Sequence, residues 1–185
     1  MLDGYPATRS REGIEKTQQI GYLKVAGTLF HMGKIRVFIA AEDHPPPHVH
    51  AEHTGEGWVA RYRFSFLSDV AGLYRFSRKG HRPTPATLAT VRDGIVANIG
   101  LCRAEWWATQ GSKAGIGLVN RRVETKKLPG GGIRARVPLQ PGKAAALILS
   151  ASYDETAREV LLSLQSHPLL RLQCGQHIEE AEEWS

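Results

Sequence analysis

The first half of the chain alternates apolar and polar side chains with the period of two that strands produce. The clearest case runs from Trp58 to Phe66, where every second residue is aromatic or alanine and two arginines lie between them. Further β-forming runs cover residues 21–30, 35–41 and 70–77, and turns that contain glycine separate several of them. Together with an extended segment that begins at His48, these runs predict an antiparallel meander of four to five strands.

After Pro83 the apolar positions recur every three or four residues, as they do on one face of a helix. Thr84 is a favourable N-cap, and Pro85 suits the first helical position because its missing N–H donor costs nothing there. The apolar face consists of Leu88, Val91, Ile95, Ile99, Cys102 and Trp106. This pattern predicts one long helix that packs across the sheet and ends near Trp107, with Arg103 directed outward.

Beyond this helix the sequence predicts a basic β-ribbon. Residues 110–117 are rich in glycine and have no period, which is typical of a linker. Residues 118–128, which contain two pairs of adjacent basic residues, and residues 133–139, which alternate apolar with basic side chains, flank a Pro-Gly-Gly-Gly turn. Residues 143–150 predict a further strand.

A second helix is predicted from Tyr153 to Gln165. Ser152 and Glu155 have the spacing of an S-x-x-E capping box. The apolar face of this helix would be Ala157, Val160, Leu161 and Leu164. The chain is therefore predicted to be an α+β protein, with a flexible arm in residues 1–20, a core domain in residues 21–110, and a smaller β-α extension with an acidic tail in residues 111–185.

The positive charge of the chain is concentrated in its middle. Residues 58–143 carry 16 basic and 4 acidic side chains, a net charge of +12, whereas residues 1–57 carry a net −1 and residues 144–185 a net −5. So basic a section is typical of a protein that binds a polyanion. The predicted nucleic-acid contacts are Arg61, Arg63, Arg75, Arg78, Lys79, Arg82, Arg121 and Arg122. The alternative is a solvated surface that the acidic tail or an acidic partner protein balances.

Strand pairing adds an argument for an anion. If residues 70–77 pair with the strand before them, Arg75 lies near Arg61 or Arg63. Like charges opposed on one face of a sheet are destabilising unless an anion or a carboxylate lies between them.

Several protein classes are not supported. No apolar run is long enough to span a membrane, and the polar N-terminus lacks the apolar stretch of a secretory signal. Two cysteines, Cys102 and Cys174, in such a chain predict a reduced, cytoplasmic protein. There is no phosphate-binding loop, no G-x-S-x-G elbow and no Cys-x-x-Cys pair, so nucleophilic catalysis by Ser, Cys or Thr is unsupported.

Candidate chemistry is concentrated in residues 43–53, which contain four of the eight histidines and three consecutive prolines. The prolines exclude a helix because they lack N–H donors and hold φ near about −65°. In the extended run that follows, His48, His50 and Glu52 face one side of a strand and the residues between them face the other.

Imidazole and carboxylate groups bind zinc, iron, nickel and copper, and imidazole also serves in acid–base catalysis near neutral pH. The predicted metal ligands are His44, His48 and His50, and the candidate cofactor is a divalent transition metal. The predicted catalytic residues are His48, His50 and Glu52, with His53 in reserve. The alternative is a loop in which the histidines donate hydrogen bonds to backbone carbonyls or stack on aromatic rings.

The run from Gly33 to His53 resembles the small prokaryotic family known as domain of unknown function 4160. That family has a short apolar strand, then Asp-His-Asn-Pro-Pro-His-Phe-His, then a strand and a helix rich in Leu and Trp. Asp43, His44, Pro46, Pro47, His48 and His50 match this motif, whereas Pro45 replaces its Asn and Val49 its Phe. The resemblance extends over about residues 25–109. It implies a member of a paired-gene module of the toxin–antitoxin kind, and it implies no particular activity.

Three functions stand as hypotheses. The favoured one is a small basic module that binds DNA or RNA within a toxin–antitoxin-like or mobile-element gene pair. The second is a metal-dependent hydrolase, such as a nuclease, that uses His44, His48, His50 and Glu52; two histidines alone can also act as acid and base in RNA cleavage. The third is an interaction subunit that docks a protein encoded alongside it.

Overall fold

The computed structural model of the protein describes residues 25–77, 80–138 and 140–175. Within these residues the chain forms two antiparallel sheets of five strands each, and two helices separate them along the sequence. The α+β prediction is therefore confirmed. The predicted arm in residues 1–20, the glutamates of the tail, Arg78 and Lys79 lie outside the described residues.

The first sheet is the predicted meander, in which the strands pair in sequence order. Its strands are β1 (Val25–Met32), β2 (Ile35–Ala40), β3 (His48–His53), β4 (Val59–Phe64) and β5 (Ala71–Phe76). The alternation around β4 has the predicted sides, since one set of side chains is fully buried: Trp58, Ala60, Tyr62, Phe64 and Phe66.

The predicted long helix is divided into α1 (Pro85–Ala97) and α2 (Ile99–Ala114). Thr84 caps α1 as predicted, because its hydroxyl oxygen accepts the N–H of Thr87 at 3.1 Å. The division occurs at Asn98, whose φ of −113° is not helical and whose side chain donates to the carbonyl of Gly94 at 2.8 Å. The apolar face continues across this break, since Val91, Ile95, Ile99, Cys102 and Trp106 are all buried.

The predicted linker in residues 110–117 is wrong in its first half, because α2 continues to Ala114. Gln110 is buried, and its side-chain amide donates to the carbonyls of Ala40 and Ala41 at 3.0 and 3.2 Å. These contacts with residues about seventy positions earlier hold the last turns of α2 in place. Neither helix of the described residues has the length and apolar character that a membrane span requires.

The second sheet has the strand order β10-β9-β8-β6-β7. Its strands are β6 (Arg122–Lys127), β7 (Ile133–Arg136), β8 (Ala146–Asp154), β9 (Glu159–Leu164) and β10 (Leu170–Gln173). The pairing of β6 with β7 confirms the predicted basic ribbon.

The predicted helix from Tyr153 to Gln165 is wrong, since these residues form the end of β8, a turn and β9. Asp154 accepts the N–H groups of Thr156 and Ala157, both at 3.0 Å, and so closes a hairpin turn instead of lying inside a helical cap. Val160, Leu162 and Leu164 are buried at every second position. The apolar residues of this segment fit both the period of a helix and the period of two of a strand. Pairing with β8 is formed only by the strand.

The buried side chains of both sheets and of the helices form one continuous cluster. Arg103 lies at its edge and is buried, which corrects the prediction that it faces outward. Its guanidinium donates to the carbonyls of Ser65 and Ser68 at 2.9 and 2.7 Å and lies 2.8 Å from the carboxylate of Asp69. Arg103 faces inward because the backbone of the loop between β4 and β5 supplies acceptors for it.

Candidate metal centre

The segment between β2 and β3 brings a carboxylate to two imidazoles. Asp43 lies in the turn after β2, where its Oδ2 accepts the N–H of Ala40 at 2.8 Å and its own N–H donates to the carbonyl of Ala40 at 3.2 Å. His48 and His50 project from one face of β3, and Val49 and Ala51, which alternate with them, lie in the core. The turn thus places Asp43 in front of two histidines that share a strand face.

The donor atoms of these three residues converge. His48 Nε2 lies 3.1 Å from Asp43 Oδ1, and His50 Nε2 lies 3.0 Å from the same oxygen and 3.2 Å from Oδ2. Both imidazoles are fully buried, and only 5% of the Asp43 side chain is exposed. One donor atom from each residue lies within 4.8 Å of the other two, so that this group could hold a metal ion.

The hydrogen bond on the far side of His48 determines what its Nε2 can do. Nδ1 lies 2.9 Å from the carbonyl oxygen of Pro46, which can only accept, so Nδ1 carries a proton. In the neutral ring Nε2 then has a lone pair, which would face the lone pairs of Asp43 Oδ1. This contact is favourable only if a cation lies at it, either a proton that makes His48 an imidazolium or a metal ion.

The spacing between the Asp43 carboxylate and each imidazole is close to that of two ligands on a small metal ion. Nitrogen and oxygen ligands of tetrahedral zinc lie about 2.0–2.1 Å from the ion and therefore about 3.3 Å from one another. The observed contacts of 3.0 to 3.2 Å between Asp43 and the imidazoles are a few tenths of an ångström shorter.

The carboxyl group of Asp43 is ionised in this setting. Burial by itself raises its pKa, but hydrogen bonds from His48 and His50, with the electrostatic attraction of the same two residues, outweigh burial and hold the pKa well below its ordinary value of 3.8. The carboxylate is therefore present as the anionic form that binds metal ions.

His50 is less completely satisfied than His48. Its Nδ1 is buried and has no hydrogen-bond partner among the described residues. A buried polar atom without a partner costs about 1–3 kcal/mol, and such atoms in native proteins call for a functional or solvent-related explanation. The ring is nevertheless held firmly, because Phe38 stacks on it with ring centroids 5.1 Å apart.

The other predicted site residues do not join this group. His44 is exposed, and its Nδ1 donates to the carbonyl of Pro45 at 2.9 Å. Glu52 lies on the same strand face as the histidines but forms a salt bridge with Arg36 at 2.6 Å. His53 projects to the opposite face and accepts the N–H of Glu56 at 2.9 Å. The structure thus retains His48 and His50 from the predicted sets and leaves out His44, Glu52 and His53.

Asp43 is the candidate ligand that was absent from the residues predicted from the sequence. It was part of the matched motif, but it precedes the prolines, and a strand pattern that begins at His48 says nothing about a side chain in the preceding turn. The available signal was an Asp directly after a strand and five residues before the first strand histidine.

The predicted nucleic-acid contacts lie on both sheets. On the first, Arg61 is directly opposite Arg75, as the pairing argument predicted, and the Arg63 guanidinium lies 3.9 Å from the centre of the Tyr74 ring. Arg82 is exposed in the loop before α1. On the second, Arg122 donates to the carbonyl of Ala145 at 2.9 Å, and Arg121, just before β6, contacts the carbonyl of Val137 at 3.5 Å.

No protein-family model, no curated protein and no solved structure matches the chain. The resemblance to domain of unknown function 4160 stays a prediction, and the function has to be argued from the site itself.

Proposed function

We propose that the protein binds one divalent transition metal ion, with zinc as the first candidate, through Asp43, His48 and His50. The observation that carries this proposal is the hydrogen bond from His48 Nδ1 to the carbonyl of Pro46. It leaves Nε2 facing the Asp43 carboxylate, a contact that is favourable only if a cation lies between the two groups. It is also the outer contact that metal-bound histidines usually make. The donor set, two imidazoles and one carboxylate, suits zinc and its neighbours in the first transition series.

The proposed role of the ion is to hold the proline segment against the first sheet. Asp43 precedes the three prolines and the two histidines follow them, so that an ion bound to all three residues cross-links both ends of the segment. The donor atoms are almost completely buried, as in sites where metal binding stabilises the fold.

A metal-dependent hydrolase is the second candidate. Three protein ligands leave one position of a tetrahedral ion open, which is the pattern of catalytic zinc sites. A metal ion at such a position activates water for attack on a phosphodiester. The burial of all three donors favours the structural role, because a phosphodiester would have to reach an ion that the protein covers. Association with nucleic acid and membership of a gene pair stay predictions.

The proposal predicts that chelator-treated protein binds one equivalent of zinc and unfolds at a higher temperature when zinc is present. Asp43→Asn keeps the size of the side chain but removes the anionic ligand, and we expect it to weaken zinc binding at least tenfold. Calorimetric titration measures the stoichiometry and affinity. Cobalt(II) in place of zinc reports the geometry through its visible absorption.

His44→Gln is the matched control, because His44 lies next in the chain but outside the cluster. It should bind zinc as the unaltered protein does. If the unaltered protein shows no saturable zinc binding, or if His44→Gln loses binding while Asp43→Asn retains it, the assigned ligands are wrong. The hydrolase candidate further requires that the zinc-loaded protein cleaves a phosphodiester and that Asp43→Asn does not.

A further inference from the structure

A row of four side chains crosses the first sheet beside the metal centre. Cross-strand pairing places Phe38 on β2 opposite His50 on β3, His50 opposite Arg61 on β4, and Arg61 opposite Arg75 on β5. Directly opposed residues of antiparallel strands share one face, with their Cβ atoms about 5 Å apart. The row therefore begins at the stacked Phe38 and His50 rings and ends with two directly opposed arginines.

The charge of these two arginines is not answered within the described part of the chain. Arg61 is half-buried and Arg75 is exposed, and neither forms an ion pair or side-chain hydrogen bond with another described residue. Two carboxylates of the neighbouring segment already have partners. Glu52 on β3 forms a salt bridge with Arg36, and Asp43 in the turn before β3 contacts the two histidines. Two like charges in direct opposition destabilise a sheet, so an anion that comes from outside the described residues would make this arrangement favourable.

The surroundings indicate what kind of anion fits. Arg63 follows on the same strand face and stacks on Tyr74, which with Leu73 is among the exposed large apolar residues of β5. The section of sequence that holds all three arginines has a net charge of +12. A polymer of phosphates with exposed rings matches both features, since guanidinium groups bind phosphate oxygens in pairs and bases stack on exposed aromatic side chains.

The basic ribbon formed by β6 and β7 is the competing surface. Its cavity of 270 Å³ is lined by Glu124, Thr125, Lys126, Arg134, Ala135 and Arg136. There Glu124 already neutralises Arg136 at 2.8 Å, whereas the face around Arg61 has no uncommitted carboxylate among its paired neighbours.

We propose that Arg61 and Arg75 together bind the phosphate backbone of a nucleic acid at the β5 edge of the first sheet, where Arg75 is exposed. This proposal does not depend on the metal ion, because the two arginines are not among its ligands. The site recognises the backbone and therefore binds with little dependence on base sequence and strong dependence on salt.

The test compares the unaltered protein with the Arg61→Gln/Arg75→Gln variant in fluorescence anisotropy titrations against labelled single-stranded DNA, single-stranded RNA and duplex DNA. Each titration is run once with EDTA and once with one equivalent of zinc, so that the comparison of the variants holds whether or not the metal proposal is correct. We expect the double variant to bind at least tenfold more weakly at low salt. The slope of log K against log salt should become shallower by about 1.4 to 1.8, because each of the two lost phosphate contacts contributes about 0.7 to 0.9.

Lys126→Gln/Lys127→Gln is the matched control, because it removes the same charge from the exposed end of β6. Its affinity should stay within about twofold of the unaltered protein. Thermal unfolding checks that both variants fold, and Arg61→Gln/Arg75→Gln should unfold at the same or a higher temperature because a repulsion is relieved.

Three results would overturn the proposal: no binding of any nucleic acid by the unaltered protein at low salt, equal losses in both double variants, or loss in the β6 variant alone. Polyglutamate that binds as tightly as nucleic acid, with the same salt slope, would also overturn it and assign the face to an acidic protein partner. The three nucleic acids distinguish RNA from DNA and single strands from duplex.

Discussion

Among single residues, the immediate environment separates histidines that the sequence makes look alike. His44 and His48 both donate Nδ1 to a carbonyl of the proline segment at 2.9 Å. Only His48 is buried with its second nitrogen against the Asp43 carboxylate, whereas His44 is exposed. The same hydrogen bond therefore prepares one ring for a cation and merely tethers the other.

Tyr62 is a second residue whose buried environment determines its chemistry. Its hydroxyl donates to the carbonyl of Leu88 at 3.0 Å and so joins β4 to α1, and burial raises its pKa from 10.0 to about 12. Because the folded protein favours the neutral phenol, the contribution of Tyr62 to the free energy of unfolding is complete below pH 10 and is lost as the pH rises towards 12.

We therefore expect Tyr62→Phe to be less stable by about 1 kcal/mol at neutral pH. The stability of this variant should also decline less steeply than that of the unaltered protein above pH 10. Urea-unfolding midpoints measured across this range provide the comparison. Parallel declines in the two proteins would show that another group controls alkaline unfolding.

Among the elements, those defined by unambiguous periodicity were predicted well. Nearly all the side chains predicted to be buried around β4 and along α1 and α2 are buried, and Thr84 caps α1 as predicted. The hairpin of β8 and β9 was predicted as a helix because Ser152 and Glu155 imitate a capping box and because Leu161 fits a helical face. In the predicted capping box Asp154 would lie inside the first helical turn, whereas here it accepts the N–H groups of Thr156 and Ala157 at the head of the turn between β8 and β9.

This difference can be tested by substitution. In the hairpin, Asp154→Ala removes two turn hydrogen bonds and should lower the free energy of unfolding by about 1–2 kcal/mol. Glu155→Ala should have almost no effect, because Glu155 is exposed in the turn. In a helix with a capping box the larger loss would instead follow Glu155→Ala, and that result would contradict the hairpin. Chemical denaturation of both variants gives the two values.

In the molecule as a whole, Arg103 connects parts that are far apart in the sequence. It extends from α2 to the loop between β4 and β5, where two backbone carbonyls and Asp69 accept from its guanidinium. Close by, Phe66 from this loop packs against Tyr153 of β8, with ring centroids 5.0 Å apart. The loop is therefore the place where the helices and both sheets meet.

Arg103→Met should consequently lower the free energy of unfolding by about 2–4 kcal/mol, because it leaves the carbonyls of Ser65 and Ser68 buried without their donors. Arg92→Met is the control on the exposed side of α1, where the guanidinium pairs only with Asp93, and should change stability by no more than about 0.5 kcal/mol. Urea denaturation measures both. Similar losses in the two variants would argue against a connecting role for Arg103.

The sequence by itself determined the meander, the start and apolar face of the helices, the basic ribbon and the position of the histidine segment. These features depend on local causes: the period of side chains along the backbone, the fixed φ of proline and the N-cap of a helix.

Only the tertiary structure decided that Asp43, and not His44 or Glu52, completes the candidate metal centre, that the long helix is divided at Asn98, and that residues 153–165 pair as strands. Each of these outcomes depends on which partner a side chain or strand finds across the fold: the turn that carries Asp43 to β3, the arginine that takes Glu52, and the β8 backbone that pairs with β9. Local periodicity contains no information about such partners, because they become neighbours only when the chain has folded.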